Sequence, residues 1–325
     1  MKQLAEAIRQ ARRIALCAHV SPDGDTIGSA LALRLALLRM GKQVDFYCAD
    51  PVPETLLPLP GAETCRSAED ADGQTYDLVL PVDVASRERM GACQRLLAQG
   101  SCTGLIDHHG TNGGFCRINV VDGDAPAAAL PVWRLLRELE AGLTPDMALC
   151  LYVAVSTDTG NFSYDNMTPE AFELAAELLR CGLPLGKWSR RLFRERPLPQ
   201  ARLIGRALGG IRVLLNGKIT LQTLTRSDLS ACGAKDEHTE NLVNLGLDIT
   251  GVRMAAMIRE AAGGTLRVSL RAVAPYRVDG IAASFGGGGH AQAAGCTFEN
   301  TTMEAAAEQL SAALEAALLE QERNE

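Results

Sequence analysis

Along the first half of the chain, short apolar runs alternate with longer stretches whose apolar residues recur at helical spacing. That alternation predicts an α/β domain built on a mostly parallel sheet. Strands are expected over Arg13–Ala18, Gln43–Cys48, Asp77–Val82 and Thr103–Ile106. An amphipathic helix, MKQLAEAIRQARRIAL, runs into the first of them. The helix after Asp25 should end at Met40, with Gly41 as its C-terminal cap. Thr144-Pro145-Asp146 opens another helix with proline in its first turn, and its body, MALCLYVAVS, is apolar all round and therefore expected to be buried. Thr168-Pro169-Glu170 opens the next, which should stop near Cys181-Gly182.

The pattern changes beyond this point. Residues 184 to 207 are basic, broken by Pro197 and Pro199, and carry few core signals; they read as a partly helical linker. Arg190, Arg191, Arg194 and Arg196 read as its solvated face rather than a substrate track. Then IRVLL-NG-KITLQTL places Asn-Gly between two apolar runs, a strong hairpin signal. VRMAAMIRE and TLRVSLRAV read as further strands, followed by DGIAASFGGGGHAQAAG and a last helix rich in Ala and Glu. This half is expected to be a smaller α+β domain with a mainly antiparallel sheet. The division is therefore 1–185 for the first domain, 186–208 for the linker and 209–325 for the second.

Composition narrows the class. Of 325 residues, 47% are apolar, enough to give each domain its own core. No apolar run is long and uninterrupted enough to span a bilayer, and the N-terminus lacks the apolar core of a signal peptide. Ten cysteines are scattered with no CxxC among them, which reads as free thiols in a reducing cytosol, so a cytoplasmic location is expected. The formal net charge of −7 argues against a protein that coats long nucleic acid, while leaving room for a small anionic substrate in a local basic pocket. Neither a membrane nor a long duplex is an expected partner, and a homodimer is compatible with the sequence.

The candidate chemistry lies in AHVSPDGDTIGSALAL, where His19, Asp23 and Asp25 leave the first strand. Asp83 follows the strand DLVLPV, Asp107-His108-His109 closes the strand TGLI, and Asp158 ends the buried helix in STDTG. In an open parallel sheet, ligands bind beyond the carboxyl ends of the strands, where these residues fall. Taken singly, each has an ordinary explanation as a turn or a helix cap. Together, carboxylates converging in one cleft would repel unless a cation compensated them. Asp and His ligands without a Cys cluster suit manganese, magnesium, cobalt or zinc, and argue against a zinc-thiolate site. The run Gly286–Gly289 before His290 has two readings, a flexible connector or a nest of amides for a phosphate, with Arg271 as a further phosphate contact. Ser29 is either part of the anion-favouring start of its helix or a small packing residue.

The motif H-x-x-x-D-x-D-x-x-G-S, an isolated Asp, D-H-H and a late D-T-G, in that order, resembles the DHH phosphoesterase superfamily. FGGGGHAQAAG, residues 285 to 295, resembles the DHH-associated C-terminal domain, and ENLVNLGLDITGVRMAAMIRE and TGNFSY are similar to the branch of nano-RNases and 3′-phosphoadenosine-5′-phosphate phosphatases. The resemblance runs over essentially the whole chain. It implies two divalent ions, usually Mn2+, with Mg2+ or Co2+ as substitutes. It would place His19 and Asp23 on one ion, Asp25, His108 and Asp158 on the other, and Asp83 between them. Asp107 would orient a histidine, and His109 would face the substrate phosphate. Arg271, Gly287, Gly288, Gly289 and His290 would bind the substrate. The implied reaction is hydrolysis of RNA of about two to five nucleotides, and of 3′-phosphoadenosine 5′-phosphate to AMP, by a hydroxide generated between two ions ~3.5–4 Å apart. A phosphodiesterase for cyclic or linear di-AMP is the alternative, and a non-catalytic nucleotide-binding regulator a third reading. One departure is visible: the branch usually carries Ser-Leu-Arg-Ser before GGGGH, and here Ala272 follows Arg271. It bears on substrate preference rather than on the chemistry.

Overall fold

A computed structural model describes residues 1–261 and 263–323. The chain forms two compact units, one reaching Glu195 and the other starting at Arg196. Among the described residues no helix is long and apolar enough to cross a membrane.

The first unit runs α1 (Lys2–Gln10), β1 (Arg13–Cys17), α2 (Gly24–Arg39), β2 (Gln43–Cys48), β3 (Cys65–Ser67), β4 (Tyr76–Pro81), β5 (Gly100–Asp107) and β6 (Ile118–Val121). It continues through α3 (Ala129–Glu138), α4 (Pro145–Asp158), α5 (Pro169–Arg180) and α6 (Leu185–Phe193). Its sheet has the order β3-β2-β1-β4-β5-β6, and every pairing is parallel. The reversal of strand order falls between β1 and β4, where α/β proteins bind their ligands. Both faces of the sheet are buried, as its nearly continuous apolar strands require. Ile14, Leu16, Phe46, Leu78 and Leu80 pack with the helices on one face. Ala15, Cys17, Tyr47, Val79 and Leu105 pack on the other, against Met90, Cys93 and Leu96 of the 3-10 segment between β4 and β5. Helices α2 and α4 are apolar nearly all round because each is enclosed by protein. Thr144 and Thr168 cap α4 and α5 as their Thr-Pro openings predict.

The second unit comprises α7 (Leu198–Gly209), β7 (Arg212–Leu214), β8 (Ile219–Leu224), α8 (Arg226–Cys232), α9 (Asn244–Leu247), β9 (Met254–Glu260), β10 (Leu266–Ala272), α10 (Asp279–Ser284), β11 (Gly288–His290), β12 (Ala293–Phe298) and α11 (Met303–Arg323). Its sheet order is β11-β12-β10-β9-β8-β7. All pairings are antiparallel except β8 with β9, which the crossover through α8 and α9 makes parallel. Leu310, Leu314 and Leu318 of α11 cover one face, while Leu203 of α7, Leu229 of α8 and Val243 cover part of the other. The Asn-Gly turn appears where expected, with both residues at positive φ.

Two local readings change. The stretch expected as a linker is mostly two helices, α6 and α7, because Trp188 enters the first core and Leu203 and Ala207 enter the second. The glycine run, read as a connector or an amide nest, lies between α10 and the strand β12, and Gly288 and Gly289 belong to the edge strand β11. A Cβ on Gly287 would lie 2.1 Å from the Gly295 carbonyl, and one on Gly289 2.5 Å from the Ala293 carbonyl. Close approach of β12 therefore accounts for two of the four glycines without any ligand.

Candidate metal centre

The acidic and imidazole side chains meet beyond the carboxyl ends of β1, β4 and β5. Asp23 is the N-cap of α2: Oδ1 accepts hydrogen bonds from the backbone N–H of Asp25 and Thr26, at 3.0 and 3.1 Å. Its ordinary role as a cap thus uses one oxygen, and the other lies 3.5 Å from Nε2 of His19. Asp25, fully buried in the first turn of α2, accepts from Ser29 Oγ at 2.9 Å and from the backbone N–H groups of Ala128 and Ala129 at the start of α3. Ser29 is therefore neither an anion contact nor a mere packing residue, because its hydroxyl is spent on Asp25.

Asp83 lies two residues beyond β4, with φ at 60° and its N–H donating to the Ile106 carbonyl at 2.8 Å. One carboxylate oxygen is 3.6 Å from His19 Nε2; the other is 3.4 Å from His108 Nε2. His108 Nε2 is also 3.6 Å from Asp25 and 3.3 Å from Asp158, at the end of α4. Three groups result, His19–Asp23–Asp83, Asp25–His108–Asp158 and Asp83–His108–His109; the first two form separate ligand sets, and Asp83 reaches toward both.

The donor set fits a cation. Nδ1 of His19 lies 2.8 Å from the Val20 carbonyl, and Nδ1 of His108 3.1 Å from the Ala125 carbonyl. A carbonyl can only accept, so each Nδ1 carries a hydrogen, and it is Nε2 of each ring that faces the carboxylates and would offer its lone pair to a bound cation. Asp83 Oδ1 and His108 Nε2 are both buried without a hydrogen-bond partner. Ligands ~2.0–2.2 Å from a common ion stand about 3–3.5 Å from each other, close to the separations found here.

The electrostatics say the same. Burial and the Asp83 and Asp158 carboxylates push the Asp25 pKa well up. Burial also disfavours charge on His19 and His108, but the surrounding carboxylates outweigh it and carry them to about 10 and about 11. As it stands, the cluster draws in protons to offset its own negative charge, a task a divalent ion performs better.

His109 stands at the edge of the centre, its Nδ1 3.7 Å from Asp83 Oδ1. Its Nδ1 bonds Asp107 Oδ1 at 2.9 Å, which raises its pKa, and its side chain stays about 41% exposed. Asp107 is buried and also accepts from Asn112 Nδ2 at 2.7 Å. Sequence reasoning missed Asn112, whose place in GTNGG signals only a turn, and it missed the α3 amides that hold Asp25. Arg271 and His290 belong to the second unit. Arg271 shares the register row Arg271–Ala293–His290 across β10, β12 and β11, so the two side chains occupy the same face of the sheet.

Residues 13–170 match the DHH family, N-terminal domain, and residues 222–320 match the DHHA1 domain. A Thermus thermophilus protein named bifunctional oligoribonuclease and PAP phosphatase NrnA is 32% identical over 95% of this chain and 92% of its own length. The chain belongs to the DHH phosphoesterase family. A Mycoplasma pneumoniae protein of the same name as the Thermus one is 26% identical over 57% of this chain and 58% of its own. The crystal structure of an exopolyphosphatase-related protein from Bacteroides fragilis superposes with a TM-score of 0.88 at 26% identity, covering 98% of this chain and 95% of that one. DHH phosphoesterases are metal-dependent, and the two Asp–His sets are the candidate ligands of this one.

Proposed function

We propose that this DHH phosphoesterase hydrolyses short oligoribonucleotides to mononucleotides and 3′-phosphoadenosine 5′-phosphate to AMP, with two divalent ions, Mn2+ first among them. The observation that carries the substrate reading is the match over nearly the full length to a protein named for both activities. The reading with two ions is supported by the paired ligand sets, each with its own imidazole Nε2 and with Asp83 reaching toward both.

Bound there, the ions would acidify water and offset charge on the phosphoryl oxygens. The chain's own groups would do the rest. Asp83 holds its carboxylate between the two imidazoles through a backbone fixed to β5. Asp107, itself fixed by Asn112, takes the Nδ1 hydrogen of His109 and favours its protonated form, which leaves Nε2–H as the donor to the departing oxygen. Arg271 and His290, on one face of the second sheet, serve nucleotide binding.

Turnover measured side by side tests this: dinucleotides, longer oligomers, the bisphosphate and cyclic di-AMP, with Mn2+, with Mg2+ and after chelation. The expected result is Mn2+-dependent release of mononucleotides and AMP, abolished by chelator. Preferential turnover of cyclic di-AMP would replace the proposal with the cyclic-dinucleotide reading.

A further inference from the structure

Arg89 stands beside the candidate metal centre with no anion to serve. It lies in the 3-10 segment between β4 and β5, and that segment is tied down. The Arg89 carbonyl accepts the Val20 N–H at 2.7 Å, next to His19, and the Arg89 N–H donates to Ser86 at 3.1 Å. Two residues on, Gly91 has φ 53°, and a Cβ there would come within 2.4 Å of Val20 and 3.0 Å of Ala49. The fold thus fixes this backbone against the loop that carries His19.

The side chain brings Nη2 to 3.2 Å from His19 Nδ1. This contact is a hydrogen bond only in the tautomer whose Nδ1 carries a lone pair. Nδ1 already donates to Val20, so two N–H groups face each other. Other arginines of this unit are committed to carboxylates: Arg134 to Asp122 and Glu170, Arg66 to Asp45, and Arg95 to Asp72. Among the described residues Arg89 makes no such ion pair, and it is exposed. A guanidinium held against an imidazole, one ring's width from the carboxylate cluster, calls for an anion. A phosphoryl oxygen suits its planar fork of donors.

We propose that Arg89 binds a phosphoryl oxygen of the substrate, beside the His19 edge of the centre. The role rests on the phosphate-ester substrates proposed above. Arg89 is a substrate contact and not a support for the metal ligands, since His19 is oriented by the Val20 carbonyl.

The test uses the full chain loaded with Mn2+, as wild type, Arg89→Gln and Arg89→Lys. Three quantities are measured at fixed salt: Mn2+ affinity, affinity for inorganic phosphate, and kcat/KM on a dinucleotide and on the bisphosphate. A hydrogen-bonded charge contact predicts that Arg89→Gln weakens phosphate binding and kcat/KM by about ten- to a hundredfold, with Arg89→Lys between it and wild type. Mn2+ affinity should stay within about twofold. Unchanged phosphate binding in Arg89→Gln overturns the proposal. So does a parallel loss of Mn2+ affinity, which would make Arg89 a support for His19. If wild type turns over neither nucleotide while Arg89→Gln still loses phosphate, the substrate reading fails and the phosphate site stands.

Discussion

The backbone of Asp83 turns through φ 60° just beyond β4, in the left-handed region that most side chains avoid and aspartate tolerates. That turn aims one carboxylate at two imidazoles, and conformations of this kind cluster at functional sites. Removing the outer partners of metal ligands typically costs about 10–100-fold, so Asp83→Asn should cut Mn2+-supported turnover by more than about a hundredfold. Metal titration by calorimetry should show weakened uptake, and near wild-type hydrolysis would remove Asp83 from the centre. Asp158 gives a prediction of opposite sign. Burial and the Asp23 and Asp83 carboxylates push its pKa up, against the pull of His108. A carboxylate whose folded pKa is raised destabilises the fold above its unfolded pKa and costs nothing once protonated in both states. Asp158→Asn should therefore raise the Tm of the metal-free protein at pH 7, on the order of 2–4 °C for each kcal/mol relieved, and the gain should vanish on acidification. In saturating Mn2+ the order should reverse; scanning calorimetry with and without chelator decides it. The ligand candidates were legible because each follows a strand end or closes a helix, a local signal. Arg89 and Asn112 were not, because what they touch is set by a loop folding back on Val20 and by the buried Asp107.

At the scale of elements, α2 and α4 hold Asp25 and Asp158 in place by packing backbone against backbone. A Cβ on Gly28 would lie 2.4 Å from the Cys150 carbonyl and 3.0 Å from Ala154. Gly28→Val must push the two helices apart, and a backbone carbonyl cannot step aside as a side chain can. Overpacking of this kind costs roughly 1–3 kcal/mol. The same displacement separates Asp25 from Asp158, so Tm and Mn2+ affinity should fall together while far-ultraviolet dichroism stays native. Loss of stability with unchanged metal affinity would show that the helix contact does not set the ligand spacing. The helices themselves were readable from their Thr-Pro openings and from Gly41, whose positive φ follows the end of α2. The parallel β8–β9 pair was not readable as such, since two apolar strands look the same whichever way the crossover between them runs. The edge strand β11 was also hidden, because glycines carry no alternation of apolar and polar side chains to betray a strand.

For the molecule as a whole, the two-part architecture followed from the change in hydrophobic pattern, and the acidic balance bears on substrate length. A net charge of −7 gives no general attraction for a long polyanion, and affinity for nucleic acid scales with the number of phosphates neutralised. In the most basic stretch two arginines are already engaged within the chain. Arg190 pairs with Glu195, and Arg191 lies over the Trp188 ring and donates to the Thr55 carbonyl. A ladder for stacking successive bases needs exposed aromatic rings, and the chain has only seven Phe, five Tyr and two Trp. Tyr47, Tyr76, Tyr152, Tyr276, Trp133 and Trp188 are buried, which removes both tryptophans and four of the five tyrosines from that use and leaves Tyr164 and Phe172 as the large exposed rings. With so few exposed rings and an acidic chain, each added nucleotide beyond the first few brings more charge to accommodate than contact to gain. Turnover should be fastest on RNA of about two to five nucleotides and should fall with length after that. Raising salt should weaken the turnover of short substrates only slightly, since few phosphates are neutralised. Initial rates on oligomers from two to about two dozen nucleotides, each at the same two salt concentrations, measure both effects. Equal or rising rates on the longest strands would refute the short-substrate limit and indicate a binding track that the charge and ring inventory does not reveal.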